Sequence, residues 1–431
     1  MKKSLKLLIA VFLLLVWVKT VGAVVSAPVN YQNCMEKAGQ SYGKELYGEA
    51  LENYREALEY KPDSMEARVG AAKVYLAMGE DRKYIGECEK ICETYAGDEQ
   101  IVEMLMEYYL DHNKVKEAVG KIVKLRESYP ENETVERYYQ KLRGEYEQKY
   151  CAYDYISTIV NGYAAYEAEG GWGILAENGE VVVKNTGSSS GVFFSGSDMA
   201  PMEENGKAYY VNKSGFKERV PDEAFSYLGV VSGDKILAAR NGMFGYVNQK
   251  MEPICEFQWE DATAIWNKLG AVKADGKWAI VNDKLEPVTD YIYEDILYDE
   301  NRICSVNGLI WAGKDGKYCL VNKEGVEITE NIYDDARPFL SEQPTAVKKG
   351  LLWGFVDSNG NLAIECQYED AKPFRNGAAP VKGDLWGYID QKGQSLIDET
   401  FREATPFNEN GNAAVKIEDY WTIIRLYVFS S

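Results

Sequence analysis

The sequence predicts a multidomain chain. An α-solenoid of paired helices is followed by an all-β repeat domain, which closes into an eight-bladed β-propeller or runs on as an open superhelical β-array. Three observations lead there. Apolar residues recur at helical spacing over about residues 31–149, with a period of 34 residues. From Cys151 onward that spacing is lost, and short apolar stretches alternate with Gly, Asn and Asp turns. Through this second part an aromatic–glycine phrase returns about eight times, as in Leu385-Trp386-Gly387-Tyr388-Ile389-Asp390.

The N-terminus comes first. Lys2, Lys3 and Lys6 precede an unbroken apolar run, Leu7 to Val18, and Lys19 follows it. This fits the apolar region of a secretory signal, with Val21-Gly22-Ala23 as the cleavage site. It also fits a span from Leu5 to Val25, with Lys19 snorkelling to the interface and Trp17 in the interfacial belt. The expectation carried forward is an uncleaved single-pass anchor and linker over 1–30, with the bulk of the chain extracytoplasmic. Secretion after signal cleavage is the alternative.

Residues 31–150 form the helical domain. Ala50, Tyr54 and Ala57 have counterparts 34 residues on at Tyr84, Cys88 and Ile91, and again at Ala118, Ile122 and Leu125. Ala38, Ala72 and Met106 repeat at the same interval. Small residues at these places let helices approach closely, and Pro62 and Pro130 end helices. Gly43, Gly79 and Asn113 fall near the turns. The pattern resembles the tetratricopeptide repeat, with units at about 31–64, 65–98 and 99–132 and a charged capping helix over 133–149. The resemblance implies a concave groove for a peptide, and its ligand-facing positions map to Tyr42, Lys73, Glu103 and Glu107.

Residues 151–431 form the β domain. The aromatic of the phrase falls at Trp172, Phe244, Trp278, Tyr318, Trp353, Trp386 and Trp421, with Ala208 in its place in the second repeat. The gaps are 36, 36, 34, 40, 35, 33 and 35 residues. A second phrase precedes it, as in Tyr333-Asp334-Asp335-Ala336 and Tyr368-Glu369-Asp370-Ala371. These residues carry a resemblance to the bacterial WG-repeat family, which implies a repeat architecture and no defined activity. Within one repeat, strands are expected over 368–374, 378–382, 385–390 and 394–397. Four such strands are too few to bury their own faces, so neighbouring repeats must supply the core. Alternation along the third strand sets Trp386 on one face and Gly387 on the other, and the bulky face of one repeat is expected to pack on the Gly face of the next. The last repeat lacks a Gly turn after Trp421, so its fourth strand is missing or supplied from elsewhere.

The chemistry is sparse. There is one His, His112, and eight Cys without a Cys-x-x-Cys pair, and neither a metal nor a cofactor is implied. No phosphate loop and no Gly-x-Ser-x-Gly elbow occurs. The acidic pairs Glu260-Asp261, Asp334-Asp335 and Glu369-Asp370 suggest glycosidase carboxylates, but they recur with the repeat, as turn residues do. A net charge of −20 argues against nucleic acid and anionic lipid surfaces as partners. The long fifth repeat, with an insertion over about 299–313, offers a candidate surface-binding loop carrying Arg302 and Trp311. The functional expectation is a non-catalytic, membrane-tethered scaffold for protein or peptide partners. The alternative is a binder of cell-wall polysaccharide that stacks sugars on aromatics of the β domain.

Overall fold

Every 34 residues a side-chain cap starts a helix. The Ser64 hydroxyl accepts the Ala67 N–H (3.2 Å), Asp98 that of Gln100 (3.0 Å) and Asn132 that of Val135 (2.9 Å), each contributing about 1 kcal/mol. The computed structural model describes residues 28–429, apart from 96, 195, 220–224, 232 and 331. Its two compact units are Met1–Arg143 and Gly144–Ser431. In the first, the described residues form seven helices: α1 (28–43), α2 (Tyr47–Tyr60), α3 (Met65–Ala77), α4 (Asp81–Thr94), α5 (Glu99–Asp111), α6 (Val115–Ser128) and α7 (Glu133–Leu142). The turns within pairs need a left-handed residue, and it too recurs at 34, as Glu45 (φ 60°), Gly79 (69°) and Asn113 (57°). Glu45, rather than Gly43, holds that place in the first pair, a strained choice costing about 1 kcal/mol. Ala38, Ala50, Ala57, Ala72, Tyr84, Ile91, Met106, Ala118 and Leu125 form the buried seams.

The second unit is a ring of eight small antiparallel sheets, an eight-bladed β-propeller. Blade 7 shows the plan: Asp370–Ala371 innermost, then Ala378–Lys382, Trp386–Asp390 and Ser395–Phe401. The innermost strand is far shorter than the expected 368–374. Pro373 offers no N–H to extend it, and the Lys372 N–H makes its last bond, to Pro380 O (3.0 Å). Tyr368 belongs instead to the outer strand of blade 6, opposite Trp353. The second phrase therefore straddles two blades. Its aromatic closes one blade against the Trp position, and its Asp-Ala opens the next. Phe401 faces Trp386, Tyr293 faces Trp278, Tyr333 faces Tyr318 and Trp259 faces Phe244 in the same way, and such cross-strand aromatic pairs stabilise a sheet.

The bulky face of one blade does pack on the glycine-bearing face of the next, Trp353 and Phe355 meeting Val381 and Ile389, but the glycine itself is required for a further reason. Between the pairs Trp386↔Phe401 and Tyr388↔Ile397 the outer strand carries extra residues as a bulge. Its backbone arches over Gly387, where a Cβ would lie 2.6 Å from Ile397 O. A Cβ on Gly354 would lie 2.6 Å from Ile364 O, and one on Gly173 2.4 Å from Val183 O. The glycine accommodates its own blade's outer strand rather than the neighbouring repeat. In blades 4 and 5 Ala279 and Cys319 stand at this place, and there the sheet has three strands, with only isolated bridges beyond them.

The ring closes through strand exchange in sequence. The strand Tyr146–Gln148 pairs with Tyr420–Leu426 and supplies the fourth strand of blade 8. Lys149 N–H bonds to Ile423 O (2.8 Å) and Tyr427 N–H to Glu145 O (2.9 Å). This corrects the expected capping helix over 133–149, which ends at Leu142. Gly144, a poor helix former, sits where a Cβ would fall 1.7 Å from Leu396 O. Apolar clusters fill the interfaces between blades. The one joining blade 8 to blade 1 contains Ala414, Trp421 and Ile423 with Ile156, Tyr166 and Leu175. A closed set of such interfaces is a ring and not an open array.

The expected single-pass membrane anchor is corrected: no helix of the described residues is long and apolar enough to cross a membrane. The segment on which that expectation rested, within 1–27, lies outside the described residues.

Candidate functional site

Two recesses stand out, one in each unit. In the helical unit the first helices of the pairs, α1, α3 and α5, line a groove of about 780 Å³. Met35 and Glu36 come from α1, Met65, Glu66, Val69 and Lys73 from α3, and Gln100 from α5. Gly70 lies on its floor, because a Cβ there would collide with the Tyr54 ring at 2.3 Å. Of the four groove residues expected from sequence, exposed Lys73 lines this recess. Tyr42 is near the end of α1, its ring 5.9 Å from that of Tyr47. Glu103 is engaged by Arg137 of α7 at 2.5 Å, and Glu107 is exposed on α5.

In the propeller the insertion of blade 5 does not form a surface loop. Residues 298–306 turn into the centre of the ring. Ile303 and Val306 pack there with Ala165, Val192, Val230 and Ala264, which come from four other blades. Ile303 bridges Ala264 in parallel, and Ala264 N–H bonds to Arg302 O (2.7 Å). Arg302 donates from Nε to Ala262 O (2.9 Å) and pairs with Asp261. Its guanidinium lies 4.7 Å from the Phe244 ring and 4.6 Å from that of Tyr298. Trp311 is in the central strand Leu309–Lys314, 1% exposed, edge-on to Tyr333. Neither side chain reaches out to a ligand on the surface. The sequence signal for this plug was the 40-residue gap, which marks an insertion but not its direction.

Beside the plug is a half-open cavity of about 270 Å³, with Asp299, Glu300, Asn301, Phe194, Trp266, Arg375 and Glu409 in its wall. Asp299 Oδ1 accepts the N–H groups of Asn301 (2.9 Å) and Ile303 (2.8 Å), which shapes the plug's turn. Burial nevertheless pushes its carboxyl up to about 7. The folded state then holds a proton that the unfolded chain has already lost between about pH 4 and pH 7. Stability from this group is present at acid pH and lost as pH rises through about 7. Asp299→Asn keeps the acceptor and removes the charge. Its midpoint of thermal unfolding should gain on the parent's from about pH 4 to pH 7 and hold that gain above; a constant difference across pH would refute this.

The repeated acids serve the backbone. Asp334 Oδ2 accepts the Gly350 N–H (2.7 Å), and Glu260 accepts that of Gly276 (3.1 Å). Asp261, Asp335 and Asp370 each accept the N–H of the following Ala at 2.8 Å. The repeat aromatics are largely enclosed: Trp278, Trp353, Trp386 and Trp421 are buried, and Trp172, Phe244 and Tyr318 are half-buried. Among the cysteines, Cys88 and Cys304 are buried thiols pushed up to about 12 by desolvation, the condition of inert core residues.

A family model described as "WG containing repeat" matches residues 244–278, 353–383 and 386–421. Its unit runs from the Trp strand of one blade towards that of the next, so it too straddles two blades. No curated protein matches the chain. Among solved structures, the Arabidopsis OM64 TPR domain is similar at 17% identity and TM-score 0.21, covering 26% of this chain and 93% of that one. KlHsv2 with loop 6CD replaced by a Gly-Ser linker is similar at 7% identity and TM-score 0.38, covering 63% and 98%. The Neurospora crassa Pan2 WD40 domain is similar at 10% identity and TM-score 0.33, covering 56% and 89%. With the family model on three repeats and the aromatic phrase recurring around the ring, the propeller unit carries WG repeats, and the N-terminal unit is a series of paired helices consistent with helical repeats.

Proposed function

We propose that this protein is a non-catalytic scaffold for protein–protein interaction, and that the groove of the helical unit takes an extended peptide segment of its partner. Repeat and propeller folds are commonly used for such contacts, because their rigid frames present large surfaces. The observation that carries the reading is the groove itself. It is open, it is built from three successive first helices, and it mixes apolar stems (Met35, Met65, Val69) with ionic ends (Glu36, Glu66, Lys73). Apolar contacts there would give affinity, and the charges register and orientation.

The test is selection from a random peptide library on the immobilised full chain. Enriched peptides should lose at least about tenfold in affinity, roughly 1.4 kcal/mol, on Lys73→Glu, and should be unaffected by Glu300→Gln in the propeller. Failure of the library to yield any sequence sensitive to Lys73→Glu would count against the groove. Retention of the chain on insoluble peptidoglycan would favour a glycan partner instead.

A further inference from the structure

The cavity beside the plug has an uneven charge balance. Arg375 is already used: Nη2 pairs with Glu409 at 2.9 Å, and Nη1 donates to Ile159 O at 3.0 Å. Asp299 receives its two N–H bonds on one oxygen, and among the described residues the other oxygen makes no hydrogen bond. Glu300 is exposed to the channel and accepts only from the hydroxyls of Tyr155 and Thr158, both at 3.4 Å. Lys372, which acts on Glu300 through space, has Glu403 at 4.0 Å. Two carboxylates therefore face the space with no ion pair of their own among the described residues, Arg375 and Lys372 acting on them only through space. The same cavity is lined by two aromatic rings, Trp266 and Phe194, edge-to-face at 4.8 Å.

We infer that this cavity binds a small organic cation, an ammonium group on an apolar or aromatic stem. The carboxylates take the ammonium, and the aromatic faces take the stem and add attraction to the charge. At about 270 Å³, against about 30 Å³ for one water, the space suits a molecule of some ten heavy atoms. It is too small for a folded partner. The plug makes the site: without residues 299–301 the channel would have neither of these acids. An anion is disfavoured, because the one cation in the wall is neutralised by Glu409. A free amine and a lysine side chain on a partner protein share this chemistry, and the cavity's small size favours the free amine.

The test is titration calorimetry on the full chain with three probes of one shape: 2-phenylethylamine, 2-phenylethanol and phenylacetate. The amine should bind at one site per chain, at least about tenfold more tightly than the alcohol, and phenylacetate should not saturate. Nα-acetyl-lysine methylamide, as a mimic of a protein side chain, should bind more weakly than the amine. Glu300→Gln should weaken the amine about tenfold and leave the alcohol unchanged, which separates loss of charge from loss of fold. Amine affinity should rise from about pH 6 to pH 8 as Asp299 ionises beside Glu300, Glu409 and Arg375, and Asp299→Asn should flatten that rise. Equal affinity for amine and alcohol would overturn the assignment. So would the absence of saturable amine binding up to about 10 mM, equivalent to less than about 3 kcal/mol, or amine binding unchanged in both variants.

Discussion

Gly387→Ala is expected to destabilise the propeller by about 2–3 kcal/mol, the range for forcing a group into packed space. The added Cβ would meet Ile397 O at 2.6 Å and Asp398 C at 3.0 Å. Both are backbone atoms of the bulged outer strand, so relief requires moving that strand. Losing its register would also disturb the Trp386↔Phe401 pair and the bond from Tyr388 Oη to Thr405 O (2.8 Å). The reverse exchange, Ala279→Gly in blade 4, should cost only about 1 kcal/mol, because no regular fourth strand crosses there. Tryptophan fluorescence during urea unfolding reads this directly. Of nine Trp in the chain all but Trp17 lie within 144–431. Equal losses for the two variants would show that the glycine does not serve the bulge.

Gly144→Ala should have an effect of similar size, about 3 kcal/mol, by a different route. A Cβ 1.7 Å from Leu396 O cannot be tolerated. Displacing it pulls Tyr146–Gln148 from the edge of blade 8 and withdraws Tyr146 from the cluster around Phe401 and Phe407. Blade 8 would then present Tyr420–Leu426 as an open edge, prone to pairing with other chains. The expected signs are a lowered propeller midpoint and concentration-dependent association on warming. An unchanged midpoint would mean that the ring does not depend on its N-terminal strand.

Much of this architecture was readable one residue at a time. Small residues at Ala38, Ala72, Ala50 and Ala118 and the turn at Gly79 specify close helix pairs, because local contacts at a fixed period need little else. The recurring Trp and Gly likewise announce a β repeat. The blade boundary was less legible. Tyr368 reads as the start of a strand with Asp370 and Ala371, yet the structure assigns the first to blade 6 and the others to blade 7. Nothing local marks the division, since a two-residue innermost strand has too few positions to show alternation.

The candidate sites divide along the same line. Lys73 lines the recess of the helical unit, whereas Tyr42, Glu103 and Glu107, mapped by the same resemblance, are not in its lining. Trp311 and Arg302 could not be placed, since an insertion may run outward into solvent or inward to the channel, and strand alternation alone does not orient it. Inward packing won because Ile303 and Val306 find apolar partners on four blades and Arg302 finds Asp261 and two rings.

By itself the sequence determined the number and kind of repeats, the order of helical and β units, and the fact that the last repeat was one strand short. Those are properties of period and composition, carried by each stretch alone. The tertiary structure decided which strand completed the ring, why glycine follows tryptophan, and where the insertion goes. Two of these depend on parts far away in sequence, Gly144 under Leu396 and Asp299 and Glu300 in a channel whose walls come from other blades, and the third on a strand bulge that brings Ile397 over Gly387.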